Sequence, residues 1–293
     1  METELWPLAV EVMRALGPRY GPAMAEAALA AGLERPVWFQ LISALRFHPD
    51  PISALRLRIR TPYSAPHYFE EGLATLTERG MLAPAGSGAY RLTEKGRVTA
   101  QQIANAAYAC MAALAPLPAS DLEALASLLR RLVEASLAAP EPPGKWSIRL
   151  NRRIDPGPEA PVIARIDQYL SDLGFYRDDA HLAAWRPHGL DGPVWEAFTL
   201  LWRGAAETVD ELYEALSWRG YGRKTYAASV QALGDRGWVE ATGEKLRLTG
   251  HGQAIRRQAE DETNRGFLTP WVALSQAELK RLGDLLGQLR DAL

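Results

Sequence analysis

The residues best suited to binding a charged partner lie at the start of one predicted helix, in the carboxyl-terminal half. They are Arg223, Lys224, Thr225 and, one helical turn further on, Ser229. Cations and hydroxyls on the exposed amino-terminal face of a helix can contact phosphates and the edges of bases. Three further cations are expected to flank this face: Arg219, Lys245 and Arg247. The pattern favours DNA binding over its alternative, an ordinary solvated basic helix start in a fold that no longer binds DNA.

The corresponding helix in the amino-terminal half carries the opposite charge. Glu70 and Glu71 occupy the positions that hold Ala227 and Ala228 in the second half. Because adjacent carboxylates repel phosphates, this helix is not expected to enter a DNA groove. Three arginines precede it and are candidates for contacts with backbone phosphates: Arg56, Arg58 and Arg60. Solvation of these arginines, or pairing with the two glutamates, fits the sequence equally well.

One cluster of titratable residues suggests a metal site or acid–base chemistry. It consists of Asp178, Asp179, His181 and His188, and its Asp-x-x-His spacing could place two ligands on one helical turn. The favoured interpretation is a helix cap, because aspartates are common at helix starts and interact well with the helix dipole. The sequence contains no phosphate-binding glycine loop, Cys-x-x-Cys, His-Glu-x-x-His or Gly-x-Ser-x-Gly. We therefore expect no catalytic set, no metal and no cofactor.

Aromatic residues are candidates for lining a ligand cavity, although core packing is the default interpretation. The set comprises Trp38, Phe39, Phe47, Tyr63, Tyr68, Trp185, Trp195, Trp202 and Trp218. Trp185, Trp218 and Tyr68 are taken as the ligand-binding candidates.

Composition predicts a folded protein that is soluble and cytoplasmic. The 293 residues suit two domains, and 47% hydrophobic with 23% charged residues is ordinary for a globular chain. The single cysteine, Cys110, allows no intramolecular disulfide and is expected to pack in the core. The amino terminus lacks the features of a secretory signal, and no apolar run is long enough to span a membrane. A net charge of -2 means that any DNA contact must come from local patches.

The chain matches itself at an offset of about 157 residues, which predicts an internal duplication. Gly32-Leu33-Glu34-Arg35-Pro36-Val37-Trp38 reappears as Gly189-Leu190-Asp191-Gly192-Pro193-Val194-Trp195. We expect one winged-helix unit in residues 1–138, a Pro/Gly-rich linker in 139–160 and a second unit in 161–293. Within the linker, the alternating segment 145–153 predicts a short strand with a basic edge.

Each unit has the sequence features of a winged helix-turn-helix. In the second, Thr208 and Glu211 predict a helix start, and the turn 219–222 precedes the helix on which Tyr226, Val230 and Leu233 face inward. Segments 238–240 and 246–248 predict a hairpin, the wing. In the first unit, Asp50-Pro51 is expected to begin a helix, Ser64 and Pro66 the next, with a wing turn at 86–88. The final helices, 121–138 and 276–293, are expected to form an association surface. The fold class is thus mainly α with small β wings.

The motif Leu-Thr-x-x-Gly follows both predicted wings, as Leu92-Thr93-Glu94-Lys95-Gly96 and Leu248-Thr249-Gly250-His251-Gly252. Together with the flanking helices it resembles MarR-type winged-helix regulators. Residues 177–288 also resemble the carboxyl-terminal half of SalK-type actinobacterial proteins, through Ala183-Ala184-Trp185, Gly189-Leu190-Asp191-Gly192 and Leu246-Arg247-Leu248-Thr249. One departure is that neither wing, at 86–88 or 243–245, supplies the Asp-x-Arg with which MarR-type wings often enter the minor groove.

MarR-type proteins are homodimers with intertwined terminal helices, so the resemblance implies that two units in one chain form a covalent pseudo-dimer that is a monomer in solution. It also implies a small aromatic or lipophilic effector between the winged-helix body and the association helices. We therefore expect a transcriptional regulator that binds double-stranded DNA. The alternative is a winged-helix scaffold that binds a small molecule or protein partner without DNA, and an enzyme ranks third.

Overall fold

The computed structural model describes residues 2–293, in which the same order of elements occurs twice. The first run is α1 (Glu2–Ala30), α2 (Val37–Phe47), α3 (Ala54–Arg60), α4 (Pro66–Glu78), β1 (Leu82–Pro84), β2 (Tyr90–Leu92), α5 (Glu94–Ala112) and α6 (Ala119–Ala138). A short helix, α7 (Trp146–Asn151), follows it. The second run is α8 (Val162–Trp185), α9 (Gly192–Trp202), α10 (Val209–Leu216), α11 (Arg223–Asp235), β3 (Val239–Thr242), β4 (Lys245–Leu248), α12 (Gly250–Leu268) and α13 (Gln276–Ala292). The predicted fold class, mainly α with small β wings, is confirmed.

Each hairpin is antiparallel and closes one compact body of three helices. Leu82 pairs with Leu92 in the first hairpin, and Val239 pairs with Leu248 in the second. The first body has its own core under α2 to α5, and the second has a separate core under α9 to α12. Helices α4 and α11 each bury their predicted apolar face and leave the other face in solvent.

The Leu-Thr-x-x-Gly motif joins each hairpin to the helix that follows. The Thr93 hydroxyl accepts a hydrogen bond from the backbone N–H of Gly96 at 3.0 Å and so caps α5. A Cβ atom at Gly96 would lie 2.1 Å from the carbonyl oxygen of Met81, so only glycine fits. Thr249 and Gly252 repeat the cap at 3.0 Å and the same close approach. The motif therefore holds each wing against its helix.

The long helices from both halves share one core. Helix α1 packs against α5 and α13, while α8 packs against α12 and α6. Trp6 and Phe267 meet edge to face with 4.9 Å between ring centroids, and the Arg290 guanidinium pairs with the Glu11 carboxylate at 2.9 Å. Burial of the terminal helices α6 and α13 in this core matches their predicted use as an association surface. None of the helices within residues 2–293 has the length and apolarity needed to cross a membrane.

The strand predicted for 145–153 is wrong. Residues Trp146–Asn151 form α7, followed by a short 3-10 turn at Arg152–Ile154. The reason is a tertiary contact, because the Asp179 carboxylate accepts hydrogen bonds from the N–H groups of Ser147 at 2.8 Å and Ile148 at 3.0 Å. An external acceptor for the free amides at a helix start stabilises a helix that is too short to be stable alone.

Two predicted helix starts are also corrected. Asp50-Pro51 does not begin α3, because Ile52 is bonded in an extended conformation to the Tyr90 backbone, and Ser53 caps the helix instead. Asp178 and Asp179 do not begin a helix either, since they lie in the middle of α8. Asp178 pairs with Arg60 at 2.7 Å and Asp179 caps α7.

Candidate nucleic-acid interface

The exposed face of α11 brings together cationic, small and amide side chains. Tyr226 and Leu233 are fully buried beneath the helix, which fixes its orientation. The residues that this leaves in solvent include Arg223, Lys224, Ala228 and Gln231. Small side chains allow close approach to another surface, and a glutamine amide can form two hydrogen bonds with the N6 and N7 atoms of an adenine in the major groove. Gln231, which sequence reasoning did not single out, donates a 2.7 Å hydrogen bond to Asp235.

The cations around this face are accessible. Arg223 pairs with Asp210, and Lys245 pairs with Glu207 at 3.0 Å, but all four side chains are more than half exposed. Such pairs contribute little to stability, so either cation can exchange its carboxylate for a phosphate. The Arg223 hydrogen bond holds the pKa of the Asp210 carboxyl below its usual range.

Lys224 and Arg247 are exposed on the same unit, and neither forms an ion pair within the part of the chain that the structure describes. Thr225 is half-buried at the helix start. Four cations and one hydroxyl therefore lie on the amino-terminal end of α11 and the adjoining wing.

Two of the predicted contact residues point inward instead. Ser229 is buried, and its hydroxyl donates to the Thr225 carbonyl at 2.9 Å, so its expected exposure is wrong. Arg219 pairs with Glu196 at 2.5 Å, and the arginine side chain is only 15% exposed. Burial raises the pKa of the Glu196 carboxyl, while the Arg219 guanidinium opposes that rise. Ser229 lies three residues after Tyr226 and four before Leu233, and this helical spacing places it on their buried face rather than on the face of Lys224.

Arg219 belongs to a contact between the two halves of the chain. Its carbonyl accepts a 2.8 Å hydrogen bond from the N–H of Ala65, and its guanidinium donates to the Ser64 hydroxyl at 3.3 Å. The Tyr221 hydroxyl lies 3.4 Å from the Ser64 carbonyl. The turn before α4 is thus docked against the turn before α11.

The three arginines of the first unit take part in internal contacts. Arg58 donates to the Ser64 carbonyl at 3.2 Å and to the Tyr221 hydroxyl at 3.4 Å. The Arg60 guanidinium stacks 3.4 Å from the ring centroid of Phe175, beside its ion pair with Asp178. Arg56 bonds the Pro51 carbonyl and lies 4.9 Å from the ring of Phe47. All three side chains are half-buried, which directs them toward the packing of the unit.

The exposed face of α4 is acidic. Glu70, Glu71 and Glu78 are all exposed on it, and none forms an ion pair with a residue in the described range 2–293. The alternative pairing of Glu70 and Glu71 with the three arginines is therefore not formed. His67, at the start of α4, lies against Gly220 of the other unit.

The three aromatic ligand candidates do not meet. Trp185 is buried, stacks on Trp195 at 5.4 Å and donates to the Tyr63 hydroxyl at 3.2 Å. Trp218 is 57% exposed and lies 3.8 Å below the Arg219 guanidinium. Tyr68 lines a separate cavity of about 180 Å³. Packing accounts for Trp185, and the cavity that Tyr68 lines includes neither Trp185 nor Trp218.

A larger cavity, of about 750 Å³, lies between the first winged-helix body and the long helices. Its wall comes from α1, α2, α5 and α8 and includes Tyr20, Trp38, Arg46, Tyr108 and Asp167. Sequence reasoning had placed Trp38 among candidate cavity aromatics but missed Tyr20 and Asp167. The signal for Asp167 was available, because it is a carboxylate at helical spacing within the apolar stripe of Ile163 and Leu170.

Comparison with known proteins supports the helix-turn-helix assignment in the second half. A model of a helix-turn-helix family matches residues 168–293, which contain α9 to α13 and most of α8. These residues therefore contain a helix-turn-helix domain. No curated protein and no solved structure matches the chain. Within residues 2–293, no three His, Cys, Asp or Glu side chains are grouped to hold a metal ion.

Proposed function

We propose that the chain is a transcriptional regulator that binds double-stranded DNA and is not an enzyme. It consists of two MarR-like winged-helix units in one chain, of which the second is the main DNA-binding unit. The observation that carries this proposal is the exposed, cation-rich face of α11, which lies in the segment matched by the helix-turn-helix family. Such a helix commonly enters the major groove with its amino-terminal residues against the bases.

The geometry suggests a role for each exposed side chain of the second unit. Lys224 and Arg223 contact phosphates beside the groove, and Ala228 allows the helix to approach the base edges. Gln231 releases Asp235 and reads a base edge. Arg247, with Lys245, contacts the backbone from the wing.

The first unit supports the second rather than binding DNA with α4. The acidic face of that helix repels phosphates, and Arg56, Arg58 and Arg60 are held in internal contacts. The shared core of the long helices corresponds to the interface of a covalent pseudo-dimer. In this proposal a small aromatic or lipophilic effector binds in the 750 Å³ cavity, where it contacts both a winged-helix body and the long helices.

Selection from a random duplex library followed by a salt titration tests DNA binding. The selected duplex should bind with a steep salt dependence, and Arg223→Ala with Lys224→Ala should flatten the slope of log K against log salt by about two. The charge-matched control is Arg130→Ala with Lys280→Ala, which removes two cations that are 56% and 74% exposed on α6 and α13. The control should keep the wild-type slope, whereas equal effects of the two double variants would contradict the assigned surface.

The second candidate function is a winged-helix scaffold that binds a small molecule or a protein without DNA. The acidic face of α4 favours it, because a duplex laid across both units would meet three glutamates. If the selection yields no duplex above background in 50 mM salt, while the folded chain binds a small molecule, this second function replaces the first.

A further inference from the structure

The 750 Å³ cavity has a largely apolar wall that contains one carboxyl group, that of Asp167. Its volume of about 750 Å³ is in the range that holds drug-sized molecules. The aromatic side chains of Trp38, Phe39 and Tyr108 and the thioethers of Met24 and Met111 provide apolar contact area. Phe39 is 44% exposed, so a flat ring placed against it would cover apolar surface that now faces solvent.

Asp167 projects from α8 into this wall with little compensation for its charge. Its carboxylate accepts one hydrogen bond, from the Tyr20 hydroxyl, at 3.3 Å to one oxygen and 3.4 Å to the other. Across residues 2–293, the structure pairs no lysine, arginine or histidine with it. Burial raises the pKa of the carboxyl to about 6, which the Tyr20 hydrogen bond only partly opposes. A charge in such a place needs a counter-ion, and no side chain supplies one.

Two cations also line this cavity. The Nε of Arg46 donates to Asn151 at 2.9 Å, and its guanidinium lies 5.2 Å from the ring of Phe175. Burial and the Arg60 charge lower the pKa of Arg46 to about 10, which the Asp172 carboxylate partly opposes. Arg35 lies in solvent at the rim, 4.6 Å from the ring of Phe39. Asp167 is the one carboxylate among the described lining residues, and neither cation forms an ion pair with it.

We infer that this cavity binds a lipophilic organic cation, with its positively charged nitrogen against Asp167 and Tyr20 and its aromatic body against Trp38 and Phe39. The bound nitrogen donates a charge-assisted hydrogen bond to the Asp167 carboxylate, and the aromatic walls attract the cation through their ring faces. The inference names the chemical class of the effector, and its regulatory meaning rests on the proposed function. The wall joins α1, α2 and α5 to α8, so a bound cation contacts elements of both halves.

Two dyes with the same xanthene framework and opposite charge test the inference by fluorescence anisotropy. Rhodamine 123 is a cation with amino N–H groups, and fluorescein is an anion. We expect the full chain to bind rhodamine 123 at least tenfold more tightly than fluorescein at pH 7.5. Asp167→Asn, which keeps the shape of the side chain, should weaken rhodamine 123 binding at least tenfold and leave fluorescein binding unchanged or stronger.

The control is Asp284→Asn, which removes an exposed carboxylate on α13 and should leave both affinities at the wild-type value. Circular dichroism verifies that each variant is folded. Three results would overturn the inference: equal affinity for the two dyes, no rise in rhodamine 123 anisotropy with the protein in about 100-fold excess over the dye, or full binding by Asp167→Asn. These measurements contain no DNA, so a negative result would contradict the cation site without contradicting DNA binding. DNA binding is tested separately, by the affinity for the selected duplex.

Discussion

The backbone N–H of Ala65 donates a 2.8 Å hydrogen bond to the carbonyl of Arg219, which joins the turns of the two helix-turn-helix units. Ala65 directly precedes α4, and Arg219 lies four residues before the start of α11. Since a backbone hydrogen bond holds the two turns at one distance, the starts of α4 and α11 are adjacent. The acidic helix and the basic helix therefore each follow one of two turns that are in direct contact.

We predict that Gly192→Ala loosens this junction. A Cβ atom there would lie 2.2 Å from the carbonyl oxygen of Pro62, which is backbone and cannot move aside cheaply. Urea unfolding should show a loss of about 1 to 3 kcal/mol, the usual cost of overpacking. Gly287→Ala on α13, where no atom lies within 4 Å, is the matched control and should be neutral or stabilising. Equal stability changes in the two variants would show that the close approach is not maintained in solution.

Asp179→Ala should destabilise the chain by about 2 to 4 kcal/mol in urea unfolding at pH 7, because it leaves the buried N–H groups of Ser147 and Ile148 without an acceptor. Asp179→Asn retains one acceptor oxygen and should lose less. The neighbouring Asp178→Ala removes only a partly exposed pair with Arg60 and should cost under about 1 kcal/mol. If Asp178→Ala were the more damaging change, α7 would not depend on this cap.

Asp167→Asn is expected to change the pH dependence of stability. The Asp167 carboxyl has a pKa of about 6 in the folded chain and about 3.8 in the unfolded chain. Between pH 3.8 and pH 6 the folded chain therefore holds a proton on this carboxyl that the unfolded chain has lost. Wild-type stability therefore falls as pH rises from about 4 to above 6, and this penalty remains at higher pH. The variant lacks it and should be more stable than the wild type at pH 7.5 by up to about 3 kcal/mol.

Unfolding in urea at pH 3.5, 5, 6 and 7.5 measures this difference. The Asp172 carboxyl also has a pKa raised to about 6, by burial, but it is present in both proteins and cancels in the comparison. A difference between variant and wild type that stays constant across the series would mean that the Asp167 carboxyl is solvated in the folded chain.

Glu70→Ala with Glu71→Ala should leave affinity for the selected duplex unchanged or raise it, most clearly at 50 mM salt. Both side chains are exposed, and their removal takes away repulsion from phosphates without loss of packing. The measurement is the same salt titration of the selected duplex that tests Arg223 and Lys224. Loss of binding in the glutamate variant, with binding retained in the Arg223 and Lys224 variant, would assign DNA contact to α4.

We predict that the chain is a monomer, since the terminal helices α6 and α13 find their partners within it. The pair between Arg131 and Glu278 and the pair between Arg281 and Asp121 both join these two helices. Light scattering after size-exclusion chromatography should give a mass near 32.3 kDa. A stable mass of twice that value at micromolar concentration would mean that α6 or α13 exchanges between chains.

Local features of this fold followed from the sequence. The apolar spacing of Tyr226 and Leu233 oriented α11, and the turn residues around Gly243 placed the second hairpin. The Leu-Thr-x-x-Gly motif was recognised from the sequence only as a resemblance, and the structure assigns its Thr to a helix cap and its Gly to a close backbone approach. The five candidate cations of the second unit were recognised by the same local reasoning, and all but Arg219 are exposed.

Tertiary structure alone decided which polar groups meet across distant segments. Nothing near Ser147 indicated that Asp179, 32 residues away, would accept its N–H and turn an expected strand into α7. Arg219 and Arg60 were sound candidates for phosphate contacts until Glu196 and Asp178 were found beside them. The cavity around Asp167 likewise exists only where α1, α2, α5 and α8 meet. Local backbone preference acts over a few residues, whereas the partner of a buried charge is determined by how whole helices pack.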